Sequence, residues 1–229
     1  MKNPLDLSGK RVLLFGGSMA LDKGIAVVIE EQGATLMKME EHDVAALEPK
    51  IKEMVRSGGS FDGVVFSIVH SDFRPLQFVK PDNVNQIMTD NFSLFIELMR
   101  VLKKSKGLKK GASVVAMSSI SSVRAMKTKT AFCASKAALD AAVRCMAIEL
   151  ADQGIRVNTI QKGGTEADLT KANIQDMLAV RSESADAENM QPLGLSTAEE
   201  VANVVVFLLS DAVKTITGTT IVIDGGYLA

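Results

Sequence analysis

Apolar positions along this chain recur at two spacings, and the switches between the two mark out its elements. "RVLLFGG" is a short apolar run ending in glycines, and "ALDKGIAVVIEEQGA" after it carries apolar residues at helical spacing up to Gly33. This predicts a strand, a turn and a helix. "ATLMKM" supplies a second strand, "AALEPKIKEMVRSGG" a helix, and "FDGVVFSIV" a strand too apolar to have a solvated face. The alternation continues with a long helix near residues 83 to 105, the strand "ASVVAMSS", a helix from about Thr130 and the strand "IRVNTIQ". "STAEEVANVVVFLLSD" then opens on a capping box, Ser196 followed by Glu199, and "TTIVIDGG" closes the chain as a strand. Strands alternating with helices predict a parallel sheet, here doubly wound in three α/β/α layers. Residues 163–195 are polar, lack strand patterning and read as a helical flap over a site.

Composition narrows the picture. A length of 229 residues at 47% hydrophobic content suits one core, so a single domain over residues 1–229 is expected. The net charge of -1, with basic and acidic residues mixed, gives no electrostatic footprint for nucleic acid or an anionic membrane. "MKNPLDLSGK" lacks the apolar core of a signal peptide, and no run of about eighteen apolar residues occurs, so a cytoplasmic, soluble protein is expected. Cys133 and Cys145 share one predicted helix about 18 Å apart in rise, too far to bridge each other. The two histidines stand far from both cysteines, and no metal site is expected.

The order of these blocks resembles the short-chain dehydrogenase/reductase family over nearly the whole chain. The resemblance is strongest in "FCASKAALDAAVRCMAIELADQGIRVNTIQKGGTEADL" and "PLGLSTAEEVANVVVFLLSDAVKTITGTTIVIDGGY". It implies a Rossmann-type sheet that binds a nicotinamide cofactor. It also implies a catalytic tetrad of Asn, Ser, Tyr and Lys, for which this chain offers Asn91, Ser119 and Lys136, with Phe132 where the family keeps its tyrosine. Four residues separate Phe132 from Lys136, so both lie on one helix face. In the family the phenol donates a proton to the carbonyl oxygen, and the lysine lowers its pKa while holding the nicotinamide ribose. Phenylalanine keeps the ring and loses the proton. An acid of this kind contributes roughly 10² to 10⁴ in rate, so the standard reaction should be slowed by about 3 to 5 kcal/mol of barrier. The chain's one tyrosine, Tyr227, lies in "DGGYLA" and cannot come from that helix. His70 stands after "VVFSIV" as an alternative acid or as a polar loop residue.

The same resemblance assigns cofactor contacts to Gly16, Leu21, Glu40, Ile68, Lys136, Gly163 and Thr165. In the family's T-G-x-x-x-G-x-G turn, glycines let the backbone approach a pyrophosphate at a helix N-terminus. "FGGSMALD" stands there with Ala20 and Asp22 in place of the second and third glycines. Asp22 would repel a pyrophosphate unless its side chain is moved aside. A looser match with the enoyl reductases aligns "GIA" at residues 24–26 and the Ser-Ile of "FDGVVFSIV" instead, and both alignments stay open. Glu40 closes the second strand, either as acceptor for ribose hydroxyls, which favours NAD over NADP, or within a solvated turn with Glu41, His42 and Asp43. Between Gly33 and "FDGVV" there is room for one helix where the family has two helices and a strand, so one strand and one helix fewer are expected. Asn91 would kink its helix and hold a water, or be solvated. Lys162 replaces a proline before the Gly163–Thr165 loop.

Altered phosphate turn, shortened adenine side and missing phenol, set against intact assembly segments, imply a non-catalytic subunit or binding member. It would pair with itself or an active paralogue in a dimer or tetramer. The catalytic helix would form the contact, its Ala138, Ala141 and Ala142 allowing close approach. The alternative is a divergent NAD(P)-dependent oxidoreductase that uses Ser119 and Lys136 on a keto or enoyl group, including an acyl thioester.

Overall fold

The computed structural model describes residues 3–17, 19–168 and 191–229. Most of the expected flap, residues 169–190, lies outside them. Six parallel strands form one sheet: β1 (Arg11–Phe15), β2 (Thr35–Met39), β3 (Phe61–Phe66), β4 (Leu108–Ser119), β5 (Arg156–Lys162) and β6 (Thr220–Ile223). Their order is β2-β1-β3-β4-β5-β6, a doubly wound arrangement whose direction of winding reverses between β1 and β3. β2 is one edge, and no strand lies beyond it among the described residues, consistent with the short stretch between Gly33 and Phe61.

Period-two alternation in the strands feeds two separate cores. Leu13, Phe15, Val64, Phe66, Val114 and Ala116 face one side, against α2 (Val44–Gly58), α4 (Leu94–Lys104) and α5 (Thr130–Glu149). Val12, Leu14, Val65, Val115 and Met117 face the other, against α1 (Ala20–Glu31) and α6 (Ala198–Leu209). Burial on both faces explains why these strands read as continuous apolar runs. In the first core Phe15 and Phe66 stack with ring centroids 5.6 Å apart, and Phe95 packs tilted against Phe66 at 5.2 Å.

Two expected elements differ in detail. The helix near 83 to 105 is α3 (Pro81–Met88) running through a π segment, Thr89–Ser93, into α4. The capping box belongs to Thr197 and Glu200, not Ser196 and Glu199: Glu200 Oε2 accepts from the Thr197 N–H at 2.7 Å, and Thr197 Oγ1 from the Glu200 N–H at 3.1 Å. Ser196 is taken by a parallel bridge to Thr165, which leaves its neighbour to start the helix.

Candidate active site

The carboxyl ends of the parallel strands gather most of the residues singled out in the sequence. After β1 the chain turns through Gly16 and Gly17 at φ of 132° and 127°, a region that side chains disfavour. A Cβ on Gly16 would lie 3.2 Å from the Ser67 carbonyl carbon, so this glycine lets the β1 turn approach the end of β3. Asp22, on the first turn of α1, is turned inward and is 2% exposed. Its Oδ2 accepts from the backbone N–H groups of Gly17 at 3.0 Å and Met19 at 3.3 Å, and Oδ1 accepts from the Ser67 hydroxyl. Burial raises the carboxyl above its usual range, and these three bonds work against that shift. Leu21 beside it is buried in the α1–α6 core. Its cofactor assignment therefore rests on backbone alone.

Asn91 is fully buried in the π segment. Its Oδ1 accepts from the His70 N–H at 2.8 Å, while Nδ2 donates to the His70 carbonyl at 2.8 Å and to Ser135 Oγ at 3.0 Å. One amide thus ties the loop after β3 to the residue preceding Lys136. The extra residue of the π turn departs from regular α-helical spacing where the side chain leaves the helix. Of the two readings of Asn91, the solvated one is excluded by this burial.

His70 is held differently from an acid aimed at the catalytic helix. Its Nδ1 lies 2.7 Å from Asp90 Oδ2, and Asp90 also accepts from Gln86 Nε2 at 3.1 Å. His42 stands 3.7 Å from the other Asp90 oxygen and 3.5 Å from Glu40. The imidazole therefore joins the cluster at the β2 end of the crevice. Among the described residues no hydrogen bond links it to Ser119 or Lys136. Asp90 escaped the sequence reading because an acid inside a helical stretch reads as a solvated face.

Phe132 and Lys136 share one face of α5, as their spacing predicts, and both are buried. The Lys129 ammonium lies 5.4 Å from the Phe132 ring centroid and 4.3 Å from that of Phe73. Lys136 Nζ donates to the Met117 carbonyl at 3.0 Å and the Ile68 carbonyl at 3.4 Å. Burial lowers its pKa to about 7; nearby Lys162 pushes the same way and Asp140 opposes. Ser119 ends β4, and its Oγ accepts from the Ser121 N–H at 3.2 Å, capping the short helical turn Ile120–Ser122. Asp140, one turn beyond Lys136, accepts from Gln161 Nε2 at 2.8 Å, and the same Nε2 donates to Ser122 Oγ at 2.7 Å. This network braces the turn after Ser119 against α5. The four-residue step from Lys136 to Asp140 was its one sequence signal.

Beyond β5, Gly163 donates its N–H to the Ile223 carbonyl at 2.8 Å, and a Cβ there would come within 2.9 Å of Asp224 Cα. Thr165 is fully buried beside Ser196. Gln191, unremarked in the sequence, accepts from the Gly164 N–H at 2.6 Å and donates to the Gly194 carbonyl at 3.0 Å, fastening the two ends of the expected flap. Tyr227 lies apart from α5 in sequence, its ring centroid 4.8 Å from the Arg124 guanidinium.

The residues fit a nicotinamide dinucleotide at one end and not at the phosphates. Glu40 is exposed at the carboxyl end of β2, where ribose hydroxyls would need an acceptor. The Gly17 and Met19 amides of the turn that would hold a pyrophosphate are engaged by Asp22, and the Lys136 ammonium is engaged by strand carbonyls. Among the described residues no group of His, Cys, Asp and Glu could hold a metal ion.

A family model described as enoyl-(acyl carrier protein) reductase matches residues 5–228. D-erythrulose reductase of Gallus gallus is 27% identical, with 100% of this chain and 99% of that protein covered. Enoyl-[acyl-carrier-protein] reductase [NADH] of Haemophilus influenzae is also 27% identical, with 96% and 95% covered. A solved structure from Sinorhizobium meliloti 1021, assigned to the short-chain alcohol dehydrogenases, superposes at a TM-score of 0.89. It is 25% identical, and 99% of each chain is covered. The chain belongs to the short-chain dehydrogenase/reductase family.

Proposed function

We propose that this chain is a divergent NAD-dependent oxidoreductase that reduces a keto or enoyl group, acyl thioesters included. The observation that carries the reading is the buried Asn91 amide. It bonds both backbone groups of His70 and Ser135 Oγ, and so joins the loop after β3 to the helix that presents Lys136. The tie fixes the loop after β3 against the face of α5 that carries Lys136, the relation a reductase site requires. Relatives whose names describe a keto-sugar reductase and an NADH-dependent enoyl reductase support the same direction. They support oxidoreductase chemistry over the non-catalytic subunit suggested by the sequence.

Bound nicotinamide would supply the hydride. Glu40 disfavours a 2′-phosphate and so favours NADH over NADPH. Ser119 offers a hydroxyl to a developing oxyanion, Lys136 stands one turn beyond the position of the missing phenol, and Asn91 holds the loop after β3 to the helix that carries Lys136. With Phe132 in place of a phenol and His70 turned to Asp90, the proton comes from water or from the substrate itself. The single-domain organisation, cytoplasmic location and oligomeric state belong to this proposal too. No helix among the described residues is long and apolar enough to cross a membrane.

A second reading, a non-catalytic subunit beside an active paralogue, is favoured by one observation: Phe132 is buried beneath Lys129 with no acid in its place. NADH oxidation with a keto sugar and with an enoyl thioester separates the two. Slow turnover of either substrate is the expected result. Complete inactivity of the purified chain, together with co-purification of a family member from the native source, would replace the proposal with the second reading.

A further inference from the structure

The phosphate turn carries its own anion. Three donors converge on the Asp22 carboxylate: the N–H groups of Gly17 and Met19, at 3.0 and 3.3 Å, and the Ser67 hydroxyl from the end of β3. All three lie at the junction of β1, α1 and β3, where the direction of winding reverses and where a doubly wound sheet takes a dinucleotide's pyrophosphate. Asp22 is 2% exposed, so the carboxylate is seated within the turn and not merely near it.

We infer that Asp22 is an internal occupant of the pyrophosphate position, and that a dinucleotide binds this chain only by displacing it. The inference rests on the proposed cofactor use and names its control. Two effects act together. A bound pyrophosphate and Asp22 compete for the same amide donors, and a carboxylate left beside the phosphates repels them in a site shielded from water. Ser67 gives the displaced state a further consequence, because its hydroxyl is released for the ligand as Asp22 leaves. The same contacts explain why the loss of two glycines from the turn is tolerated in the folded chain. With the side chain turned onto the Gly17 and Met19 amides, these two donors ahead of α1 are satisfied without a ligand.

The test is calorimetry with NADH and with ADP on the full chain and two variants. Asp22→Gly removes the occupant, and binding of both ligands is expected to tighten by at least about tenfold. Asp22→Asn keeps the shape and an acceptor oxygen but drops the charge, and should fall between wild type and Asp22→Gly. It serves as the folded comparison if Asp22→Gly loses its helix start, which circular dichroism would reveal. Equal affinities in all three proteins would overturn the inference, and so would tighter binding by wild type. Micromolar NADH binding by wild type, unchanged in both variants, leaves the cofactor reading standing and removes the role of Asp22. Tighter ADP binding by the variants with no NADH oxidation on any substrate supports the occupant and removes the oxidoreductase reading.

Discussion

Phe132 and Lys136 sit one turn apart on α5, and their burial gives each substitution a definite direction. Adding a hydroxyl through Phe132→Tyr places a phenol on the same helix face one turn before Lys136, the arrangement the family uses as an acid. Turnover of NADH with the preferred substrate is expected to rise by roughly 10² to 10⁴, measured under saturating cofactor. An unchanged rate in a folded variant would show that the phenol position no longer faces substrate. Lys136 makes a separate prediction about stability. Its pKa falls from 10.5 to about 7 on folding, so between those values the unfolded chain holds a proton that the folded chain lacks. Stability from this group therefore rises with pH across that window, and the full penalty of the buried charge applies below about pH 7. Lys136→Met should raise folding stability by about 2 to 4 kcal/mol at pH 6, after allowance for the carbonyls of Met117 and Ile68 that lose a donor. The gain should vanish near pH 10, and urea unfolding of both proteins at the two pH values checks it. The motif named Asn91, Ser119, Phe132 and Lys136 but not the bracing residues Asp90, Asp140 and Gln191. Side-chain directions were not legible either: nothing in "FGGSMALD" states whether Asp22 faces solvent or the turn's own amides, because that depends on Ser67, far along the chain.

At the scale of elements, the π segment at Thr89–Ser93 shows what periodicity can and cannot supply. The apolar spacing of α3 and α4 predicted one helix near 83 to 105, and a helical stretch is there, but the extra residue that lets Asn91 turn toward His70 leaves little trace in the spacing. The capping box was displaced by one residue for a similar reason, since the Thr165–Ser196 bridge is a long-range contact that local pattern does not carry. Asn91 makes three hydrogen bonds with no water access, so its replacement leaves two backbone groups of the β3 loop unpaired. Asn91→Ala should cost about 2 to 4 kcal/mol in chemical denaturation. Lys136 should also become more accessible to amine reagents as the loop after β3 loosens. A stability loss under about 0.5 kcal/mol would mean that the π turn holds its shape without this amide.

The doubly wound parallel architecture was legible at the scale of the molecule because the central strands β1, β3, β4 and β5 are buried on both faces, which forces helices above and below. The shortened β2 side followed from setting the stretch between Gly33 and Phe61, with room for one helix, against the two helices and a strand that the resembled family has there. Assembly is a question the same reasoning reaches through α5. One face of that helix feeds the core through Leu139, Val143 and Ala147, while Ala134, Ala137, Ala141, Cys145 and Ile148 remain exposed along the other. Ile148 is 82% exposed, a large apolar side chain in water at the end of a stripe of small residues that would let a second helix approach closely. In an isologous pair this stripe meets its own copy, so one substitution acts twice in the interface. Ile148→Glu would bring two carboxylates into apolar surroundings near the contact. Light scattering on a sizing column should show wild type as a dimer or tetramer and the Ile148→Glu chain as a smaller species at equal concentration, its circular dichroism unchanged because Ile148 contributes nothing to the core. Identical masses for the two proteins would move the interface to another face, and a wild-type monomer would remove self-association from the proposal altogether.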